Sequence, residues 1–119
     1  MTMRMAAALG AASILAALAG GGAARAASFD CAAAKAADEK AVCSSLALND
    51  LDVRMATLYE VASHLVAMGQ RGVLQDQQRA FLKTRAACSI NKICIGNAYK
   101  ARIDEIEDVL QSIYSKGPF

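Results

Sequence analysis

Cys88-Ser89-Ile90-Asn91-Lys92-Ile93-Cys94 decides how the second half of this chain folds. On one continuous helix the two cysteines would sit about 9 Å apart, beyond the roughly 7 Å between Cα atoms that a disulfide spans. A bond between them therefore requires a turn, with one helix ending before it and another starting near Asn91. The other two cysteines, Cys31 and Cys43, pose the same problem. A single helix would hold them about 18 Å apart, so bridging them requires the chain to fold back near Asp38. Four cysteines allow three connectivities. Local pairing is preferred because each pair brackets a turn, and crossed bonds between the N-terminal segment and the later loop are the alternative. By loop entropy the two local bonds would contribute about 3 and about 2 kcal/mol.

Upstream of the cysteines, Arg4 precedes an apolar run from Met5 to Ala19, followed by Gly20, Gly21 and Gly22 and then by Ala24-Arg25-Ala26. This is the layout of a secretory signal with cleavage after Ala26, and it places the protein in an oxidising compartment. The run falls short of the about 20 apolar residues of a membrane span, with an uncleaved anchor as the alternative. No cysteine follows the run to carry a lipid. The expected mature chain, residues 27–119, is one small soluble domain, periplasmic or secreted. The formal charge of +2 falls to zero once Arg4 and Arg25 leave. A neutral total argues against a dedicated binder of nucleic acid or anionic membrane. Seven basic residues between Arg71 and Arg102 face a single acid, Asp76, before the block Asp104, Glu105, Glu107 and Asp108; such runs are usually solvated helix faces.

The mature composition favours helices, and its apolar residues repeat at helical spacing. Leu51, Met55, Leu58, Ala62 and Leu65 form one stripe; Leu74, Phe81 and Leu82 begin a second; Ile95, Tyr99, Ile103, Ile106, Leu110 and Ile113 form a third. These stripes predict an all-α fold, a small disulfide-stapled bundle of three main helices with a short N-terminal helical segment. Asn49 or Asp50 is expected to cap a helix reaching about Met68, Gly69 and Gly72 to frame a turn, and Asp38 to cap the short helix before Cys43. The chain is expected to fray at Lys116-Gly117-Pro118.

The cysteine spacing offers no zinc, haem or thioredoxin-type motif, so neither metal nor cofactor is expected. No enzyme constellation stands out either. His64 is the single histidine, with only Glu60 within a helical turn; the serines lack an activating partner; Asp104 and Asp108 are ordinary surface acids rather than a glycosidase pair.

The residues around the cysteines resemble the LprI-like lysozyme-inhibitor domain, a family of small exported bacterial helical proteins. The matching stretches are Phe29-Asp30-Cys31, Glu39-Lys40-Ala41-Val42-Cys43, Leu51-Asp52, Tyr59, Gln78-Arg79-Ala80-Phe81-Leu82, Arg85, Cys88, Cys94-Ile95, Tyr99 and Arg102-Ile103. Phe81 stands where the family often has Trp. The resemblance implies a disulfide-bonded helical domain whose name-giving member, a lipoprotein, binds lysozyme and protects peptidoglycan. Among the matching polar residues, Arg85 is expected to pair with Asp52, and Arg102 with an acid of the neighbouring helix, orienting the helices together with Tyr99. If inhibition is the activity, the partner is lysozyme or a related peptidoglycan hydrolase. The contact surface is then expected around Arg79, Lys83, Lys92 and Lys100, beside the stapled loop. The competing function is a periplasmic interaction module without inhibitory action.

Overall fold

A computed structural model describes residues 27–117. Residues 1–26, where the secretory signal is expected, and Pro118 and Phe119 lie outside the described residues. A 3-10 turn at Cys31–Ala33 leads into four helices: α1 (Ala37–Cys43), α2 (Leu46–Leu65), α3 (Met68–Ala87) and α4 (Lys92–Tyr114). There is no strand among the described residues. The expected all-α bundle with three main helices and a short leading segment is what forms.

The cross-helix pairs give the topology. Leu48 faces Gly96, Asp52 meets Tyr99, and Arg54 reaches Glu107, so α2 and α4 ascend together. Against α4, Phe81 packs on Tyr99 while Gln78 and Leu74 meet Arg102, so α3 runs the opposite way. The α4 stripe is the spine. Ile95, Tyr99, Ile103, Ile106 and Leu110 are all buried, with Ile113 packed against them, because this helix is covered by α2 on one side and α3 on the other. Leu65 and Leu82 leave the expected stripes and are exposed. The core at the far end of α2 is closed by Ala62 and Val66 instead.

Both disulfides join the local pairs, Cys31 to Cys43 and Cys88 to Cys94. Their formation places the folded domain in an oxidising environment. No described helix is long and apolar enough to cross a membrane. The first bridge folds the 3-10 turn back onto α1, which closes the end of the bundle where α3 gives way to α4. Val42 is fully buried there, and Asn49 Nδ2 donates to the Val42 carbonyl at 2.8 Å, tying the end of α1 to α2.

Three expected boundaries move. The break after Cys31 falls at Ala34–Ala36 rather than at Asp38, and α1 starts when the Glu39 carboxylate accepts from the N–H groups of Lys35 and Ala36. Asp38 is no cap, since its side chain points inward. Ser45, not Asn49 or Asp50, caps α2, accepting from Leu48 N–H, while Asn49 is already inside the helix. Gly69 and Gly72 lie within α3. The turn before them is made by Val66 and Ala67 in extended conformations open to any residue, with the Val66 side chain buried as an anchor. Asn91 caps α4 as expected, its Oδ1 accepting from Cys94 N–H at 3.0 Å.

Replacing Cys31 and Cys43 by alanine should lower the unfolding free energy by about 3 kcal/mol, and replacing Cys88 and Cys94 by about 2 kcal/mol. Urea titration of the two variants beside the oxidised parent checks the order; a larger loss from the shorter loop would contradict it.

Candidate functional site

Two features stand out from the helical frame, a buried polar chain at the closed end of the bundle and an exposed tip beside it. The chain starts at Asp38 on α1. Its Oδ2 accepts from Arg85 Nε at 2.7 Å, Arg85 Nη1 donates to the Tyr99 hydroxyl at 3.0 Å, and that hydroxyl donates to Asp52 Oδ1 at 2.8 Å. The other Asp52 oxygen accepts from the backbone N–H of Ser28 at 2.5 Å. The Phe29 ring covers the guanidinium, 5.4 Å from its centroid. All four side chains are buried, and each comes from a different helix. The chain therefore fixes how the four helices meet.

Arg85 thus pairs with Asp38, not with Asp52 as expected, and reaches Asp52 only through Tyr99. The reason lies in the moved break. Starting α1 at Ala37 turns Asp38 inward beside α3, which leaves the tyrosine as the bridge to α2. Burial alone would depress the Arg85 guanidinium, but the proximity of Tyr99 and the hydrogen bonds to Asp38 and Tyr99 outweigh it and hold it above its ordinary value. Burial, then the Asp52 charge, push the Tyr99 phenol well up against the opposing pull of Arg85, so it stays protonated and available as a donor.

Arg102 forms a second centre one turn further along α4. It is held by Gln78 Oε1 at 2.9 Å and the Leu74 carbonyl at 3.1 Å on α3. Its acid, Glu105, sits 2.9 Å away on its own helix, so the expected carboxylate on a neighbouring helix is replaced by an amide and a backbone carbonyl. Both can accept from a guanidinium, and neither adds a second buried charge.

The exposed tip is the segment between Cys88 and Cys94. Ser89 takes a left-handed conformation with φ of 52°, which turns the chain sharply enough for Asn91 to cap α4 four residues after the end of α3. Ile90 and Ile93 project from this short arc, 73% and 79% exposed. A shallow depression beside Ile90 is walled by Lys35, Lys40 and Lys92. Of the four basic residues expected at a contact surface, only Lys92 is brought there. Arg79 is paired with Asp76 on the same helix, and Lys83 shares with it the outer face of α3, away from the core. Lys100 is exposed on α4, two turns beyond Lys92. Sequence reasoning missed Lys35, Lys40 and the two isoleucines; the available signal was a pair of large apolar residues, Ile90 and Ile93, between cysteines only six positions apart. No group of His, Cys, Asp and Glu among the described residues is arranged to hold a metal ion.

Fold and site together define a class: a disulfide-stapled helical bundle whose buried ionic chain supports a rigid tip of apolar and basic side chains. Comparison with family models, with curated proteins and with solved structures gave no match.

Substituting Arg85 by Met should lower stability by about 3–5 kcal/mol, because Asp38 is left buried and unpaired. Adding Asp38→Leu should recover a substantial part of that loss; urea unfolding of the two single variants and the double variant measures the coupling. Tyr99 predicts an alkaline effect. Its folded pKa lies above the unfolded value of about 10, so its contribution is complete below that pH and lost as pH rises towards the folded value, by about 1.4 kcal/mol per pH unit. The steepness of this loss should be smaller in Tyr99→Phe when both proteins are unfolded at pH 8 and at successive steps above pH 10.

Proposed function

We propose that this protein is an exported inhibitor of lysozyme or a related peptidoglycan hydrolase. It acts without chemistry of its own, by inserting the Cys88 to Cys94 tip into the enzyme's cleft, and works in the periplasm or outside the cell, unlipidated, after loss of residues 1–26. The observation that carries the reading is the tip: Ile90, 73% exposed, stands beside Lys35, Lys40 and Lys92, and Ile93, 79% exposed, borders a second depression, on a segment closed by a disulfide. A muramidase cleft is built round two carboxylates, to which lysines are complementary. A few well-packed residues near the centre of an interface supply most of its energy. A loop already held by a bridge and a cap loses little conformational freedom on docking. The likeness of the cysteine-flanking residues to the LprI-like domain supports the choice of target.

The test is lysis of a peptidoglycan suspension by c-type and g-type lysozymes with the oxidised protein titrated in. Dose-dependent protection is expected, lost on reduction. The pair Ile90→Asp and Ile93→Asp should weaken it by roughly 30-fold or more, corresponding to a loss of about 2 kcal/mol at an interface centre. Charge reversal at Lys35, Lys40 and Lys92 should weaken it further at low salt than at high salt. Full lytic activity at large excess over both enzymes would overturn the inhibitor reading and assign the tip to a different envelope protein.

A further inference from the structure

The buried chain does not balance electrically. Two carboxylates, Asp38 and Asp52, share one cation, Arg85, and the tyrosine between them is neutral. Arg85 is satisfied by Asp38 at 2.7 Å, so Asp52, 1% exposed, receives only neutral donors: the Tyr99 hydroxyl and the Ser28 N–H. An ionised carboxylate in such a position needs a positive partner. The groove over it offers none beyond Arg85, being lined by Glu39, Tyr59, Met55 and Gln78. The charged and titratable groups around Asp52 are thus Glu39 from α1, Tyr59 from α2, Arg85 from α3 and Tyr99 from α4, with Asp38 of α1 at the far end of the hydrogen-bond chain.

One further cation can reach it. The nitrogen of Ala27 is one residue from the Ser28 nitrogen that already touches Asp52 Oδ2, which puts it within about 6 Å of that oxygen by bond lengths alone. Ala27 is itself 7% exposed, held against the bundle. The small residues Ala24 and Ala26 mark the bond before Ala27 for the export peptidase. We propose that maturation completes the fold: cleavage of the Ala26–Ala27 bond creates an α-ammonium group at Ala27 that pairs with Asp52 and supplies the missing positive charge. The step is hydrolysis. One water adds across the peptide bond, leaving a carboxylate on Ala26 and, at neutral pH, an ammonium on Ala27. Before it, that nitrogen is an uncharged amide, and Asp52 remains unbalanced. The carboxylate has lone pairs to spare, since its two present donors occupy half of its roughly four acceptor sites. The inference rests on the export reading above and not on inhibition.

The consequence is a fold whose closed end, with Ser28 already on Asp52, Phe29 over Arg85 and the Cys31 to Cys43 bridge in place, gains its last ionic contact only after the leader is gone. It also gives a pH signature. An α-ammonium beside a buried carboxylate has its pKa raised above the ordinary 7.7–8.0. Its stabilisation is therefore complete below about pH 7.7 and is lost as pH rises through the raised value.

The experiment expresses the full chain from its own leader, beside a version with Gly-Ser-Gly inserted after Ala26, so that the mature terminus is displaced while the charge count is kept. Mass spectrometry of both purified proteins establishes the terminus. The expected parent begins at Ala27 and melts several degrees higher than the extended form at pH 7. That gap should narrow as pH is raised past 9 and be absent at pH 7 when both carry Asp52→Asn. Should the Asp52→Asn pair fail to fold, slow reaction of the parent's α-amine with an acylating reagent, compared with the extended form, gives the same information. Equal melting of the two forms at pH 7, equal amine reactivity, or an undiminished gap in Asp52→Asn would overturn the ion pair while leaving export intact. A chain recovered uncleaved would overturn the export reading together with it. Lysis assays play no part in either outcome.

Discussion

A guanidinium buried among four helices constrains everything near it. Arg85 carries a charge that cannot be neutralised at any ordinary pH, so its place in the core demands a carboxylate and filled hydrogen-bond directions. Asp38 and Tyr99 meet that demand at 2.7 and 3.0 Å, and each brings its own helix with it. Apolar packing alone would let α1 slide over the end of the bundle, since α1 has only seven residues and buries little beyond Ala41 and Val42. The ion pair gives it one position. The chain on to Asp52 then fixes α2 against α4, and the Ser28 N–H holds down the start of the described chain.

The disulfides and the buried chain act on the same end of the molecule and do different things. Cys31 to Cys43 shortens the accessible unfolded chain and keeps the 3-10 turn near α1, and Cys88 to Cys94 closes the turn between α3 and α4. Neither sets the angle at which helices cross. Arg85, three residues before Cys88, and Tyr99, five after Cys94, do that from inside. The tip between the cysteines thus stands on a base held by covalent bonds at its edges and by charge within. This is why two isoleucines can remain exposed there without the loop folding over to hide them.

Much of the frame was legible. The all-α class followed from three stripes of apolar residues at helical spacing, and the α4 stripe from Ile95 to Ile113 was read residue for residue because one helix covered on two sides must repeat its pattern without interruption. The rise of a helix and the reach of a disulfide showed that each local bridge needs a turn, and local pairing was preferred over crossed bonds because each pair brackets one; the structure joins the local pairs. The polar partners were read less well. Asp38 looked like a cap because aspartate before an apolar run usually is one. Its inward turn depends on where α1 begins, and that depends on Glu39 reaching back to two N–H groups, a choice between neighbouring acids that spacing does not resolve. Gly69 and Gly72 looked like a turn for a similar reason, yet Val66 and Ala67 make it, since extended backbone is open to any side chain and burial of Val66 selects the position.

By itself the sequence determined the all-α class, most of the apolar faces and the need for a turn within each locally bridged pair, because these rest on periodicity and chain geometry over a few residues. Only the tertiary structure decided which acid answers Arg85, which acceptors answer Arg102, and which lysines gather beside Ile90. Those outcomes join residues 14 to 47 positions apart in the buried chain, and a charge in a core is matched by whichever group the packed helices bring within about 3 Å, a quantity that local pattern does not contain.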